Sequence, residues 1–221
     1  MTDIFSEIEE DIRKDRAKRI WSRFGRYIIG GALLLVALVA AWRGWEIYTT
    51  SQARAAGDRF EDAVALLDSN EEAGLTALQE ISNAGPDGYA ALARFRSASA
   101  LASADDFDGA MTSLRSIVDD ASVNPLLQDV ARIRLGYLLL DHGDASEIEG
   151  LLIELSDTTN PFSHSAREIR AFAAMRAGNK DQAQALFLEL VGDFNSPEPI
   201  RSRARVALDV LASEGAGVSS G

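Results

Sequence analysis

The longest apolar run of the chain lies near its N-terminus, where no charged residue occurs between Arg26 and Arg43. Eight isoleucine, leucine and valine residues fall in this interval, and at about −0.5 kcal/mol each they favour membrane insertion by roughly 4 kcal/mol. The strictly uncharged part would cover only about 24 Å of helix, which is less than the roughly 30 Å thickness of a bilayer's hydrocarbon core. Aromatic residues at both flanks, among them Phe24, Tyr27 and Trp42, suit the lipid–water interface and extend it. The pattern predicts a transmembrane helix over residues 24–48.

A cleaved signal peptide is the alternative interpretation of this run. Val39, Ala40 and Ala41 offer the small residues that a signal peptidase prefers. A long leader precedes the run, however, and the bulky Trp42 and Arg43 follow the possible cleavage point directly. These flanks favour an anchor that stays in the membrane.

Residues 1–23 combine polar and apolar positions in a helical pattern. The apolar residues recur at helical spacing, at Ile4, Phe5, Ile8 and Ile12. They predict a short amphipathic helix against the inner leaflet, serving either as an anchor stem that meets anionic lipid or as a cytoplasmic docking helix. Basic residues dominate the end of this segment, so the positive-inside rule places the N-terminus in the cytoplasm. The residues that set this topology are Arg13, Lys14, Arg16, Lys18, Arg19, Arg23 and Arg26.

Beyond residue 48 the pattern is repetitive and typical of helices. An Ala-Arg pair occurs at 93–94, 131–132, 166–167 and 204–205, with separations of 38, 35 and 38 residues. A proline stands a few residues ahead of each pair, where it suits the first turn of a helix. Two independent markers therefore share one period.

Each period contains two helical patterns separated by a polar turn, for example at Asp105-Asp106 and Gly178-Asn179. Apolar residues at i and i+3 of the second helix in each pair require burial against the next hairpin. The sequence predicts an all-α solenoid of hairpins over residues 49–212. We expect 49–83 to form an incomplete leading pair, 199–212 a capping helix, and 213–221 a disordered tail.

Composition narrows the function. The net charge is −12, and since residues 1–26 carry about +1, the remainder carries about −13. Such a surface disfavours nucleic acid as a ligand. The chain has no cysteine, which excludes disulfides and thiolate sites. The two histidines, His142 and His164, lack metal-ligand spacing, and no nucleophile elbow or phosphate-binding loop occurs. We predict a protein that is not an enzyme, has no cofactor or metal, and takes no small-molecule substrate.

The hairpins resemble the tetratricopeptide repeat. Ala98, Gly136 and Ala171 match the small close-contact position of its first helix, and Ala110 and Ala183 match that of its second. The repeats are degenerate, since Ile148 replaces one small residue and the period is slightly long.

Taken whole, the architecture resembles the YfgM-like family of ancillary subunits of the SecYEG translocon. The basic N-terminus, one span ending "AWRGWEIY" and "GYAALA" at 88–93 carry this likeness. It implies a single-pass inner-membrane protein with a periplasmic repeat domain. That domain would contact the translocon and a membrane-anchored periplasmic prolyl isomerase, linking the translocon to periplasmic chaperones. An envelope-organising or regulatory repeat protein with a cytoplasmic signalling helix is the alternative.

If the hairpins stack as in tetratricopeptide repeats, fixed positions of each first helix face a concave groove. These positions form a candidate apolar strip for a partner segment, with the acidic surface as a rim that favours basic chains. The alternative is that they fill the core between hairpins. The candidate groove residues are Phe95, Val130, Ile133, Tyr137, Leu140, Phe172 and Met175.

Overall fold

A computed structural model describes the backbone of residues 3–85 and 87–218, and the side chains of 25–27, 29–31, 33–85 and 88–213. Every regular element in those ranges is helical, which confirms the all-α prediction. The α-helices are α1 (Asp3–Ser69), α2 (Glu71–Ala84), α3 (Asp87–Ser103), α4 (Phe107–Val118), α5 (Pro125–His142), α6 (Glu147–Leu152), α7 (Ser163–Arg176), α8 (Lys180–Gly192) and α9 (Glu198–Val218). A 3₁₀ turn at Glu154–Ser156 follows α6.

The chain divides into two compact units, Met1–Ala55 and Ala56–Gly221. The first unit consists of the N-terminal part of α1. Its apolar window has a mean hydropathy of 1.8, and none of the side chains described there is buried; Leu33, Leu34 and Leu35 are each about two-thirds exposed. By length and composition this helix is able to cross a membrane.

Helix α1 has no break at either predicted edge of the span. It runs unbroken from Asp3 to Ser69, through residues 23–24 and 48–49. Chain propagation explains the continuity, since each added residue gains one backbone hydrogen bond and no proline interrupts this part of the sequence. Apart from Arg26, the side chains of the predicted topology residues lie outside those described, as does the predicted amphipathic face. Arg26 itself lies over the ring of Tyr27, with Cζ 4.9 Å from the ring centroid.

The second unit is a series of antiparallel hairpins whose turns lie where the sequence predicts them. Asp105 takes a positive φ of 62° and Asp106 accepts a hydrogen bond from the Gly109 amide at 2.9 Å, so the α3–α4 turn is capped. Gly178 has φ of +79°, a conformation that glycine adopts without strain, and it ends the α7 side of the next turn. Pro125 occupies the first turn of α5.

The alanines of the Ala-Arg pairs are core residues. Four alanines at these places are all fully buried: Ala93, Ala131, Ala166 and Ala204. The close-contact role applies to Gly136, because a Cβ there would lie 2.9 Å from Leu152 Cδ1. The repeated alanines therefore lie in the hydrophobic core clusters of the domain.

Two boundaries differ from the predicted ones. Helix α6 ends at Leu152 and passes into the 3₁₀ turn, so the second hairpin has a shorter second helix than predicted. Fully buried Ile148 stands there at the position that is small in the neighbouring hairpins. Helix α9 continues to Val218, through most of the segment predicted to be disordered. That segment has no proline, so helical hydrogen bonding can continue from the packed turns around Leu211.

Candidate partner-binding surface

Six of the seven predicted groove residues belong to, or pack against, two hydrophobic clusters. Phe95 is buried within the first cluster. Three others pack against that cluster and two against the second. These partly buried residues are Val130, Ile133 and Leu140 in the first case and Phe172 and Met175 in the second. Tyr137 is the most exposed of the seven, at 39%. Their part in partner binding stays a prediction.

A shallow groove of about 340 Å³ opens where α3, α4 and α5 meet. Its floor is apolar, and its two largest polar side chains are Arg134 and Tyr137, one turn apart on α5. The groove has room on the α3 side because two of its lining residues there are alanines, Ala98 and Ala102, which stand one turn apart. The lining is completed by Ser99, Leu114 and Leu138. Of these residues the sequence predicts Tyr137 as a groove residue, and the spacing of small residues on α3 is a sequence signal for the groove beside it.

Arg134 is held at this groove by an aromatic ring. Its guanidinium carbon lies 5.1 Å from the ring centroid of Phe95, which is only 8% exposed and therefore fixed by the core. Such an arrangement is a cation–π contact. Among the described side chains Arg134 forms no ion pair. It is the one charged residue that lines the groove.

Beside the groove a buried carboxylate connects three helices. Glu168 of α7 is 1% exposed, and it accepts hydrogen bonds from Arg203 of α9 at 2.6 and 2.9 Å. The hydroxyl of Tyr137 on α5 donates to the same carboxylate at 3.1 Å. Burial, reinforced by the negative charge of Glu168, raises the pKa of Tyr137 to about 12. The hydrogen bonds to Glu168 also raise the pKa of Arg203.

A model of the tetratricopeptide repeat-like domain matches residues 18–213. The chain belongs to the tetratricopeptide repeat-like domain family. Comparison with curated proteins and with solved structures gave no significant match. Stacked hairpins of this kind form extended surfaces that serve for protein–protein interaction.

In this tetratricopeptide repeat-like domain two of the repeated arginines, Arg94 and Arg167, connect neighbouring elements. Arg94 donates to Ser82 Oγ at 3.1 Å and to Asp120 Oδ2 at 2.7 Å, so it ties α3 to α2 and to the end of α4. Arg167 donates to the Ser156 carbonyl at 3.0 Å. The hydroxyl of Ser122, followed by Arg94, lowers the pKa of Asp120 to about 2.

The two histidines of the domain take part in separate contacts. His164 Nε2 lies 2.9 Å from Asp193 Oδ2, which links the start of α7 to the end of α8. His142 stacks on Phe107 with ring centroids 3.5 Å apart. Over the residues that the structure describes, no group of three His, Asp or Glu side chains is placed to hold a metal ion.

Proposed function

We propose that the chain is a membrane-anchored, non-enzymatic scaffold that binds protein partners through its tetratricopeptide repeat-like domain. The observation that carries the proposal is the contrast between the two units. The first is a helix whose apolar side chains are exposed, with Trp42 and Trp45 each more than 70% exposed. Exposure of such an apolar surface to water is strongly unfavourable, whereas the hydrocarbon core of a lipid bilayer accommodates it. The second unit has the family's interaction architecture.

The basic residues before the apolar run support a cytoplasmic N-terminus, and hence a repeat domain on the far side of the inner membrane, in the periplasm. The resemblance to YfgM-like proteins supports the SecYEG translocon and a membrane-anchored prolyl isomerase as partners, with onward transfer of emerging chains to chaperones. A role in organising the envelope, with a cytoplasmic signalling helix, is the second candidate. It rests on the helical spacing of apolar residues in 1–23.

Topology is tested by fusing a reporter that is active only in the periplasm after Gly221. We expect activity from this fusion, and an inactive periplasmic reporter fused before residue 24. Mass spectrometry of the mature protein should recover N-terminal peptides. A new N-terminus at Trp42 would show instead that the apolar run is a cleaved signal peptide.

Partner identity is tested by placing a photo-crosslinking residue at Ser99 in the groove of the full-length protein in intact membranes. Thr112, exposed on α4, provides the matched control position. We expect translocon subunits and the prolyl isomerase to be captured from Ser99 and not from Thr112. Enrichment of division or cell-wall proteins without these would favour the envelope-organising role.

A further inference from the structure

We propose that Arg134, presented by the ring of Phe95, forms a subsite that binds an acidic residue of a partner protein, with the adjacent groove taking that partner's neighbouring aliphatic side chain. This inference rests on the proposed function, because it specifies the chemistry of the partner. It also reverses the expectation from composition, in which the acidic surface favours basic chains.

The charge of the groove is opposite to that of the domain around it. Residues after 26 carry about −13 in net charge, yet the charged residue lining the groove is an arginine. The nearby acidic groups of α5 do not neutralise it. Asp129 is bound by Arg132 at 2.7 Å, and Asp141, two turns further along α5, does not line the groove. A partner carboxylate would therefore meet a local positive charge that the overall composition conceals.

Three other arginines of the stacked helices already have carboxylate acceptors on neighbouring elements. Arg94 is bound to Asp120, Arg170 to Glu149 and Arg203 to Glu168. Arg134 contacts a ring face, which offers no carboxylate oxygen to its five N–H donors. A planar guanidinium held against an aromatic ring loses less freedom when it binds a carboxylate, which favours bidentate recognition.

The shape of the groove suggests a side chain beside that carboxylate. Ala98, Ala102, Leu114 and Leu138 form an apolar floor directly next to Arg134. The opening is shallow and continuous with the surface, as suits a polypeptide segment lying across α3 and α5. The ligand we infer is a segment in which Asp or Glu adjoins an aliphatic residue, held by charge at one point and by burial at the next.

The test uses the full-length protein in phosphatidylcholine nanodiscs and three fluorescent peptides of one alanine–leucine framework. Their variable positions carry Glu, Gln or Lys. We expect the Glu peptide to bind at least about 10-fold more tightly than the Lys peptide, and Arg134→Gln to remove most of that preference. Arg134→Lys should restore part of it, since it keeps the charge without the planar fork.

Arg115→Gln is the matched control, because it removes the same charge from an exposed α4 residue paired with Glu147. It should leave the peptide preference unchanged. Equal binding of the Glu and Lys peptides, or a preference that survives Arg134→Gln, would overturn the subsite. So would Arg134-dependent binding of phosphatidylglycerol nanodiscs that displaces the Glu peptide, because the site would then serve lipid.

Crosslinking from Ser99 keeps this proposal separate from the proposed function. If translocon or prolyl isomerase is captured equally in the parent and in Arg134→Gln, the scaffold function stands and the acidic subsite fails. Capture that falls severalfold in Arg134→Gln but not in Arg115→Gln supports the subsite. If neither protein crosslinks in any variant, the proposed partners fail whatever the peptides show.

Discussion

The carboxylate of Glu168 on α7 is almost completely buried and is held by two hydrogen bonds from Arg203 on α9. The two residues are 35 positions apart. This pair fastens the last helix of the solenoid to the hairpin before it, while Tyr137 extends the connection to α5. The buried charge of Glu168 is therefore neutralised by a residue from a different element of the domain.

Removing the arginine of this pair should destabilise the domain. Arg203→Ala leaves a buried carboxylate without its counter-ion, and we expect a loss of about 2 kcal/mol, below the usual range for a fully buried pair because Arg203 is half exposed. Arg205→Ala on the same helix removes an exposed pair with Glu198 and should cost less than about 1 kcal/mol. Urea unfolding measures both. Equal losses would contradict the role of burial.

Acid should weaken the link between α3 and α4. Asp120 has a pKa of about 2, lowered from 3.8 by Ser122 and Arg94. A lowered pKa in the folded state means that this contribution is present above pH 3.8 and is lost as the pH falls towards 2. We expect Asp120→Asn to show a smaller fall in urea midpoint over this range than the parent. Asp119→Asn removes the same charge without these bonds and should retain the parent's slope.

The phenol of Tyr137 should ionise at an unusually high pH. Its pKa of about 12 lies above the ordinary 10.0 because burial and Glu168 disfavour the phenolate. The raised value means that its contribution to stability is present below pH 10.0 and is lost as the pH rises towards 12. The alkaline absorbance difference between the parent and Tyr137→Phe should give a midpoint near 12. A midpoint near 10 would show that the Glu168 contact does not persist in solution.

Gly136 should not tolerate a methyl group. In Gly136→Ala the new Cβ would lie 2.9 Å from Leu152 Cδ1 and 3.3 Å from Ile169 Cγ2, and both side chains are fully buried. Overpacking should outweigh the better helix propensity of alanine, giving a net loss of about 1 kcal/mol. Gly150→Ala in α6 meets no atom within 4 Å and should be neutral or stabilising. Thermal melting distinguishes the two, and a stabilised Gly136→Ala would contradict the close contact.

Substitution of Phe172 distinguishes a role in the core from a role in partner binding. Its ring packs edge-on against fully buried Phe187, with centroids 5.0 Å apart. We expect Phe172→Ala to cost about 3 kcal/mol of unfolding free energy. Leu188→Ala, at a site 54% exposed on the adjacent helix, should cost less than about 1 kcal/mol. If Phe172→Ala melts like the parent but loses partner crosslinks, the predicted apolar strip holds at this position.

The repeat architecture was accessible from the sequence because its causes are local. The turn at Gly178 and the proline at the start of α5 each act within a few residues, the Ala-Arg period marks the recurring unit, and the structure places helices and turns accordingly. The uncharged run between Arg26 and Arg43 is equally local, and its described side chains are exposed. Patterns of this kind reveal which residues need burial.

The candidate site depends on contacts between residues that are far apart in the sequence. The polar stretch around Glu168 predicts a surface residue. Its carboxylate is instead buried and bound by Arg203 and Tyr137, which lie 35 and 31 positions away. Arg134 lies over the ring of Phe95 from another hairpin, a contact that joins residues far apart in the sequence. Sequence periodicity determines the face on which a residue lies. The partner it meets there depends on how hairpins stack, and in degenerate repeats the exact registers of packed side chains decide that.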